Sequence, residues 1–427
     1  MGEEKQPILH WRKNINLFLT GQFLSGITSM IVQYAIIWYL TKETGSATIL
    51  SFAMLLGMIP MVLLSPFAGP LVDRWDKKRL LILTDVIVAL FAVMLVIAGT
   101  VAASFPLWLV FVSLFVRAIA QTFQMPTIQS ILPTMVPEEE LTRINGQLGM
   151  VQSANFIIAP ALGAFLFSVF PINWLILLDV LGAIFGVGLL IFVTIPKVVS
   201  QGEAVHLLAD TKFGVKKLYE NKGLWYIMIN GAVFTLLFMP AASLYPLMTM
   251  GYFGQDVGQA GLVEVVYSVG MLAGGAFIGF LGKWKDRMKP IFMAYLVVGV
   301  TIGASGLLPG TAQGFFYFIL LNAGAGFATP YFNTLLMAII QQSYEPNILG
   351  RILGVFNSLM TLPGPIGLVF AGPLTDRIGV EKMFLIAGVG TLLCGLALFL
   401  TPSARNYDKK LQERLKQKKA AEEDQTE

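Results

Sequence analysis

Apolar stretches of about 20 residues alternate with short charged breaks along nearly the whole chain. A helix of that length crosses the hydrocarbon core of a bilayer. Twelve such helices are predicted, near residues 15–40, 48–72, 79–101, 106–124, 145–169, 173–195, 224–248, 260–282, 290–308, 313–338, 352–373 and 382–401. The first is too long for a signal-peptide core and no A-x-A-like site follows it, so it counts as a span. The longest break lies between the sixth and seventh spans and is polar, with Lys197, Glu203, Asp210, Lys212, Lys216 and Lys217. The expected fold class is an all-α membrane protein with twelve transmembrane helices in two six-helix halves, residues 1–195 and 224–401. A loop at 196–223 joins the halves, and a charged tail occupies 402–427.

Charge placement orients the spans. With the N-terminus inside, 25 of the 29 Lys and Arg fall on cytoplasmic segments, Lys42, Arg377 and Lys382 fall outside, and Arg117 lies within a span. Lys and Arg accumulate on the cytoplasmic side, so both termini are expected there, in a plasma (bacterial inner) membrane. Composition, at 56% hydrophobic and 13% charged, leaves no water-soluble domain apart from the tail, and the net charge of +4 restates the same bias without pointing to nucleic acid. The tail reads as a helix or disordered segment near anionic lipid, or as a binding module.

Two function classes fall away. Cys394 stands alone, so no intrachain disulfide or cysteine metal site is expected, and His10 and His206 both lie in cytoplasmic segments. A membrane-embedded enzyme would lack its nucleophile–base or metal cluster. An ATP-driven pump would need a G-x-x-x-x-G-K-[ST] loop, which the chain lacks. No metal and no organic cofactor are expected.

Arg117 is the costliest residue in the chain. An arginine deep in a span costs roughly 2.5–3.5 kcal/mol to insert, so it faces protein or water. Arg117, Gln121 and Gln124 are spaced i, i+4, i+7 and share one helix face. Two roles fit: a proton-relay or coupling arginine, or an arginine tied to a carboxylate to lock helices together. The carboxylates available are Asp179 in span six, Glu264 in the outer part of span eight and Asp85 in the inner part of span three. A membrane carboxylate that takes up and releases a proton couples a proton gradient to solute movement. Asp179 is the deepest and ranks first. Glu264 suits either coupling or a cationic or polar substrate, and Asp85 is expected to pair with loop lysines.

Polar and aromatic stripes suggest a mixed apolar pocket. Gln22, Ser25, Ser29 and Gln33 line one face of span one; Asn230, Phe234, Phe238 and Tyr245 nearly line one face of span seven; Asn322, Tyr331, Asn333 and Asn357 add polar groups in spans ten and eleven. Interhelical hydrogen bonding is the alternative for any single amide. The octapeptide pattern Phe67-Ala68-Gly69-Pro70-Leu71-x-Asp73-Arg74 recurs at Phe370–Arg377, as an inverted repeat or as a chance likeness of two span ends.

The loop Gly69-Pro70-Leu71-Val72-Asp73-Arg74-Trp75-Asp76-Lys77-Lys78-Arg79 resembles the G-x-L-a-D-r-x-G-r-R/K-x signature of the major facilitator superfamily, with Asp76 in place of the second glycine. The resemblance implies the major facilitator fold and a conformational latch formed by Gly69, Asp73, Arg74, Lys77, Lys78 and Arg79, the last three facing anionic lipid. Arg117 resembles the arginine of the span-four motif R-x-x-q-G, without its glycine. Span five resembles the antiporter pattern G-x8-G-x3-G-P-x2-G-G at Gly146, Pro160 and Gly163, with Asn155, Ala159 and Ala164 replacing glycines. Ala35–Thr41, Thr44–Ala47, Val136–Thr142 and Leu178–Ala183 resemble the macrolide-efflux branch. In the superfamily, spans one, four, seven and ten line the cavity, which implies Gln33, Gln121, Asn230, Phe234, Phe238, Asn322 and Tyr331 as cavity groups; Asn155 of span five and Asn357 of span eleven are expected beside them.

The function so implied is a proton-coupled exporter of amphiphilic drug-like molecules such as macrolides, working by alternating access. The proton gradient supplies the energy, and the partners are the substrate, protons and membrane lipids, with a monomer as the working unit. A dedicated metabolite or siderophore carrier on the same fold is the alternative within transport. A non-transporting receptor or scaffold is the alternative from another class.

Overall fold

Long apolar runs with internal backbone hydrogen bonding can form only helices in a membrane, and the computed structural model is built accordingly. It describes residues 11–102, 105–196, 207–281, 284 and 286–423. In chain order the helices are α1 (Trp11–Thr44), α2 (Ala47–Arg74), α3 (Lys77–Val101), α4 (Leu107–Met135), α5 (Leu141–Val169), α6 (Ile172–Ile176), α7 (Leu178–Phe192), α8 (Leu207–Glu220) and α9 (Lys222–Leu247). They continue with α10 (Val257–Leu281), α11 (Met288–Ser305), α12 (Ala312–Ser343), α13 (Pro346–Thr361), α14 (Pro363–Ile378), α15 (Val380–Leu400), α16 (Pro402–Arg405) and α17 (Tyr407–Glu423). Among the described residues, twelve spans are long and apolar enough to cross a membrane. The sixth is the broken pair α6–α7, and the eleventh runs from α13 into α14, interrupted at Leu362 just before Pro363.

The fourth span is longer than its sequence suggested. The expected end at 124 lies just before Pro126, yet α4 continues through Pro126 and Pro133 to Met135. Burial explains the difference. Ile128, Ile131, Leu132 and Met135 pack with Ile15, Phe18, Leu81 and Leu190 in one apolar cluster, and that packing outweighs the lost backbone bond at each proline.

The chain divides into two units. One comprises Met1–Thr44, Phe52–Val205 and Asp256–Val265; the other comprises Gly45–Ser51, His206–Gln255 and Val266–Glu427. In the first, α1 packs along α7 and α5, and α3 along α4 and α7. In the second, α11 packs along α15 and α12, and α9 along α14 and α15.

The tail is not merely a solvated segment. Arg287 and Asp408 are both buried, and Asp408 accepts hydrogen bonds from the Arg287 backbone N–H (2.6 Å) and Nε (3.0 and 3.1 Å) as well as from Nη2. Gln342 Oε1 accepts from Arg287 Nη2 at 2.9 Å and from Gln412 Nε2 at 3.0 Å. Tyr407 OH accepts from Asn221 Nδ2 (2.6 Å) and donates to Ser343 Oγ (2.9 Å). The first turn of α17 is thereby fixed to the ends of α9, α11 and α12.

Removing one member of a buried ion pair typically costs about 3–5 kcal/mol. Asp408→Ala is therefore expected to lower the thermal unfolding midpoint of the detergent-solubilised protein and to speed tryptic cleavage after the exposed Lys409 and Lys410. Unchanged melting and cleavage would mean that the other tail contacts suffice.

Candidate functional site: a buried polar network

Small residues bring three helices of the first unit close together. On α7, Asp179, Gly182 and Gly186 are spaced i, i+3, i+7 and share a face. A Cβ on Gly182 would collide with Thr28 Oγ1, and one on Gly186 would stand 3.0 Å from Ser25 Cβ. The polar stripe of α1 is thus pressed against the face of α7 that carries Asp179.

The ion pair forms at this seam. Arg117 on α4 is 4% exposed and Asp179 is 3% exposed. Arg117 Nη1 donates to Asp179 Oδ1 at 3.1 Å and Nη2 donates to Oδ2, a two-pronged contact between matched planar groups. Nη1 also reaches the Ser29 carbonyl at 3.3 Å, and Ser29 Oγ donates to Asp179 Oδ1 at 3.1 Å. Arg117 Nε, also buried, has no acceptor among the described residues.

A second tier lies one turn away on α1. Ser25 Oγ donates to Asp85 Oδ1 at 3.4 Å, and Gln124 Nε2 donates to the same oxygen at 2.6 Å. Asp85 therefore does not pair with loop lysines, as its sequence position suggested. Lys78 instead donates to the carbonyls of Ile191 (2.9 Å) and Val193 (2.8 Å) at the end of α7, where unpaired carbonyls need donors. On the other side of the ion pair, Gln121 Nε2 and Gln33 Oε1 approach at 3.5 Å. Three members of the α1 stripe thus each meet a different neighbouring helix.

Glu264 accepts from Tyr34 OH at 2.9 Å, and the Tyr34 ring stacks on Trp38 at 5.5 Å. Asn155 is buried, packs over Gly26 of α1 and leaves its Oδ1 without a hydrogen bond.

In the second unit the expected cavity groups separate. Phe234 stacks on Phe238 (5.1 Å) and on Phe332 (4.7 Å), and Tyr295 meets Phe234 edge-on at 5.3 Å and Phe332 at 4.6 Å. Phe332 and Tyr295 had no sequence signal, because their contacts cross between helices. Asn230 turns away toward α15, where its amide donates to the Cys394 carbonyl at 2.9 Å beside a groove of about 460 Å³. Asn322 is buried and bonds its own helix at the Phe318 carbonyl (3.1 Å). Tyr331 is buried against Trp284 and Phe327, and Asn357 is exposed on α13.

The segment 69–79, expected to be a loop, is mostly helical: α2 runs to Arg74 and α3 begins at Lys77, leaving only Trp75 and Asp76 between them. The surroundings of Gly69 and the Asp73 side chain lie outside the described residues. Asp76 takes over the turn that the family glycine would make: it caps α3, accepting from Arg79 N–H at 3.0 Å. Arg74 and Arg79 are exposed, whereas Lys77 is buried. The repeated octapeptide is clearest at its second copy. Asp376 accepts from Ser46 Oγ (2.9 Å), Ala47 N–H (2.7 Å) and Thr48 N–H (3.0 Å), occupying the positive N-terminus of α2. A Cβ on Gly372, one turn earlier, would stand 2.8 Å from Thr48 Cα.

The Major Facilitator Superfamily model matches residues 18–368. The chain belongs to that superfamily. It is a transporter and not an enzyme. It is 36% identical over 391 residues to macrolide efflux protein A of Streptococcus pyogenes, covering 91% of this chain and 95% of that protein. It is 25% identical over 413 residues to the multidrug efflux pump Tap of Mycolicibacterium fortuitum, covering 92% and 96%. A bacterial homologue of the iron transporter ferroportin, solved in an inward-facing state, matches with a TM-score of 0.70 at 15% identity, over 90% of this transporter and 97% of that chain. At that identity the likeness concerns the fold alone.

Arg117→Ala and Asp179→Asn are each expected to destabilise this transporter by about 3–5 kcal/mol. The double variant should recover about 1–3 kcal/mol of the summed loss, because the two residues act as one unit. Arg117→Lys should behave much like Arg117→Ala, since an ammonium cannot reproduce the forked contact. Thermal unfolding of the four variants measures this, and additive losses would break the pairing.

Proposed function

We propose that this transporter is a proton-coupled exporter of amphiphilic drug-like molecules, macrolides among them, that works by alternating access. The observation that carries the reading is the membrane-buried Arg117–Asp179 pair in a chain 36% identical to a macrolide efflux protein. A buried carboxylate whose partner can let go is the minimal device for exchanging a proton against a solute. Glu264, hydrogen-bonded to Tyr34, is a second ionisable group for coupling or for a cationic substrate.

The lining chemistry supports an amphiphilic cargo. The Phe234–Phe238–Phe332–Tyr295 cluster of the second unit offers broad aromatic contact. Large apolar ligands bind aromatic surfaces of this kind. The junction of α2 and α3, from Gly69 to Arg79, acts in this reading as the conformational latch. Both termini face the cytoplasm of a plasma (bacterial inner) membrane, the surrounding lipid is the partner along the apolar flanks, and the monomer is the working unit.

The test uses purified transporter in liposomes with an imposed pH gradient and a macrolide as cargo. Gradient-dependent accumulation is expected, abolished by a protonophore and by Asp179→Asn. Accumulation by Asp179→Asn at the wild-type rate would remove Asp179 from coupling. Absence of macrolide transport by folded wild-type protein would favour a dedicated metabolite carrier.

A further inference from the structure

The network of the first unit holds a carboxylate that the ion pair leaves unneutralised. Asp85 is 8% exposed, and both donors that reach it, Ser25 Oγ and Gln124 Nε2, are neutral and bind Oδ1. No hydrogen bond from the described residues reaches Oδ2, which faces α7 at Gly186, where a Cβ would stand 3.3 Å away.

Among the described residues, the charged groups on the surrounding helices offer Asp85 no counter-charge. From α4 comes Arg117 and from α7 Asp179, and these two neutralise each other. Near Asp85, α1 presents the hydroxyls of Ser25 and Ser29, and α6 (Ile172–Ile176) contains no ionisable residue. On α3 itself, Lys77 and Lys78 lie in the first turn, and Lys78 is bound to the carbonyls of Ile191 and Val193. The network therefore contains two carboxylates and one guanidinium. In a low-dielectric interior an unpaired ionised carboxylate is so costly that the group neutralises instead, so the network is neutral when it holds one proton. Arg117 Nε is buried and has no acceptor among the described residues, so the guanidinium keeps one donor uncommitted.

We propose that Asp85 is the binding site of the transported proton, held on Oδ2, while Asp179 serves as the standing counter-charge of Arg117. This rests on the proton-coupled reading above and assigns the proton within it. Binding forms one O–H bond with a proton from water and takes the carboxylate from −1 to 0. Release returns that proton to water, and Arg117 then shifts toward the new anion, loosening its hold on Asp179. The coupling is a competition of two carboxylates for one guanidinium, and the α1–α7 seam shifts with its outcome.

The first experiment needs no cargo. Infrared titration of the purified full-length transporter follows the C=O stretch of protonated carboxyl groups across the neutral range. The wild type is expected to lose one such band as pH rises, Asp85→Asn to lack that band, and Asp85→Glu to restore it at a shifted frequency. In Asp179→Asn the freed guanidinium turns to Asp85, and the band is expected to vanish at lower pH than in the wild type. A wild type with no titrating band, or an Asp85→Asn variant that keeps the full band, overturns the assignment; should Asp85→Asn not fold, an unshifted band in Asp85→Glu overturns it equally. In liposomes, Asp85→Asn is expected to lose gradient-driven macrolide accumulation while retaining macrolide exchange at equal pH, and wild-type accumulation overturns the proposal. If the band belongs to Asp85 but the wild type shows no pH-driven transport of any cargo, the proton-coupled export reading fails while the proton site stands.

Discussion

A guanidinium inside a membrane helix must be neutralised where it sits, and in this transporter that requirement organises the first unit. Arg117 enters from α4 and meets Asp179 from α7 in a forked contact, with Ser29 of α1 closing the third side. The contact is possible because Gly182 and Gly186 let α1 lie directly on α7. A buried pair of this kind adds little net stability over an apolar substitute, but it makes the loss of either partner costly. The sequence therefore invests in small residues at the seam to hold two charges that a purely structural bundle would not need. That asymmetry ties the pair to transport in the proposed mechanism.

The two units divide the chemistry. The first concentrates the ionisable groups Arg117, Asp179, Asp85 and Glu264, bridged by serine, tyrosine and amide side chains. The second carries the aromatic cluster of α9, α11 and α12, and is tied at one end by Arg287 and Asp408. Asp376, occupying the N-terminus of α2, shows what the repeated octapeptide accomplishes: a glycine for close approach and, one turn later, a carboxylate for the helix end. In the proposed cycle, protons act on the first unit and the apolar body of the cargo on the second.

The spans were legible because each is a run of lipid-soluble residues with charges only at its ends, and Arg117 with Asp179 was legible because charges inside spans are so few. What escaped the sequence were partnerships that depend on helix rotation. Gln124 was placed on the face of Arg117, but nothing in its spacing links it to Asp85 on α3. Asn230 shares a stripe with Phe234, yet it turns to the Cys394 carbonyl while the phenylalanines stack on Phe332. The tail reads as a helix or disordered segment near anionic lipid because charged residues crowd it, and the buried Asp408 that helps to dock it is hidden among them. Pro126 marked a helix end by local rules, whereas the apolar cluster around Ile131 keeps α4 helical beyond it.

Antiport through the buried network requires that binding of the cargo release the proton. The most direct measurement adds a macrolide to purified transporter in weakly buffered detergent solution with a pH indicator. The solution is expected to acidify in proportion to the macrolide bound, with less release as the starting pH rises and the network is already deprotonated. Saturable macrolide binding with no proton released at any starting pH would contradict it.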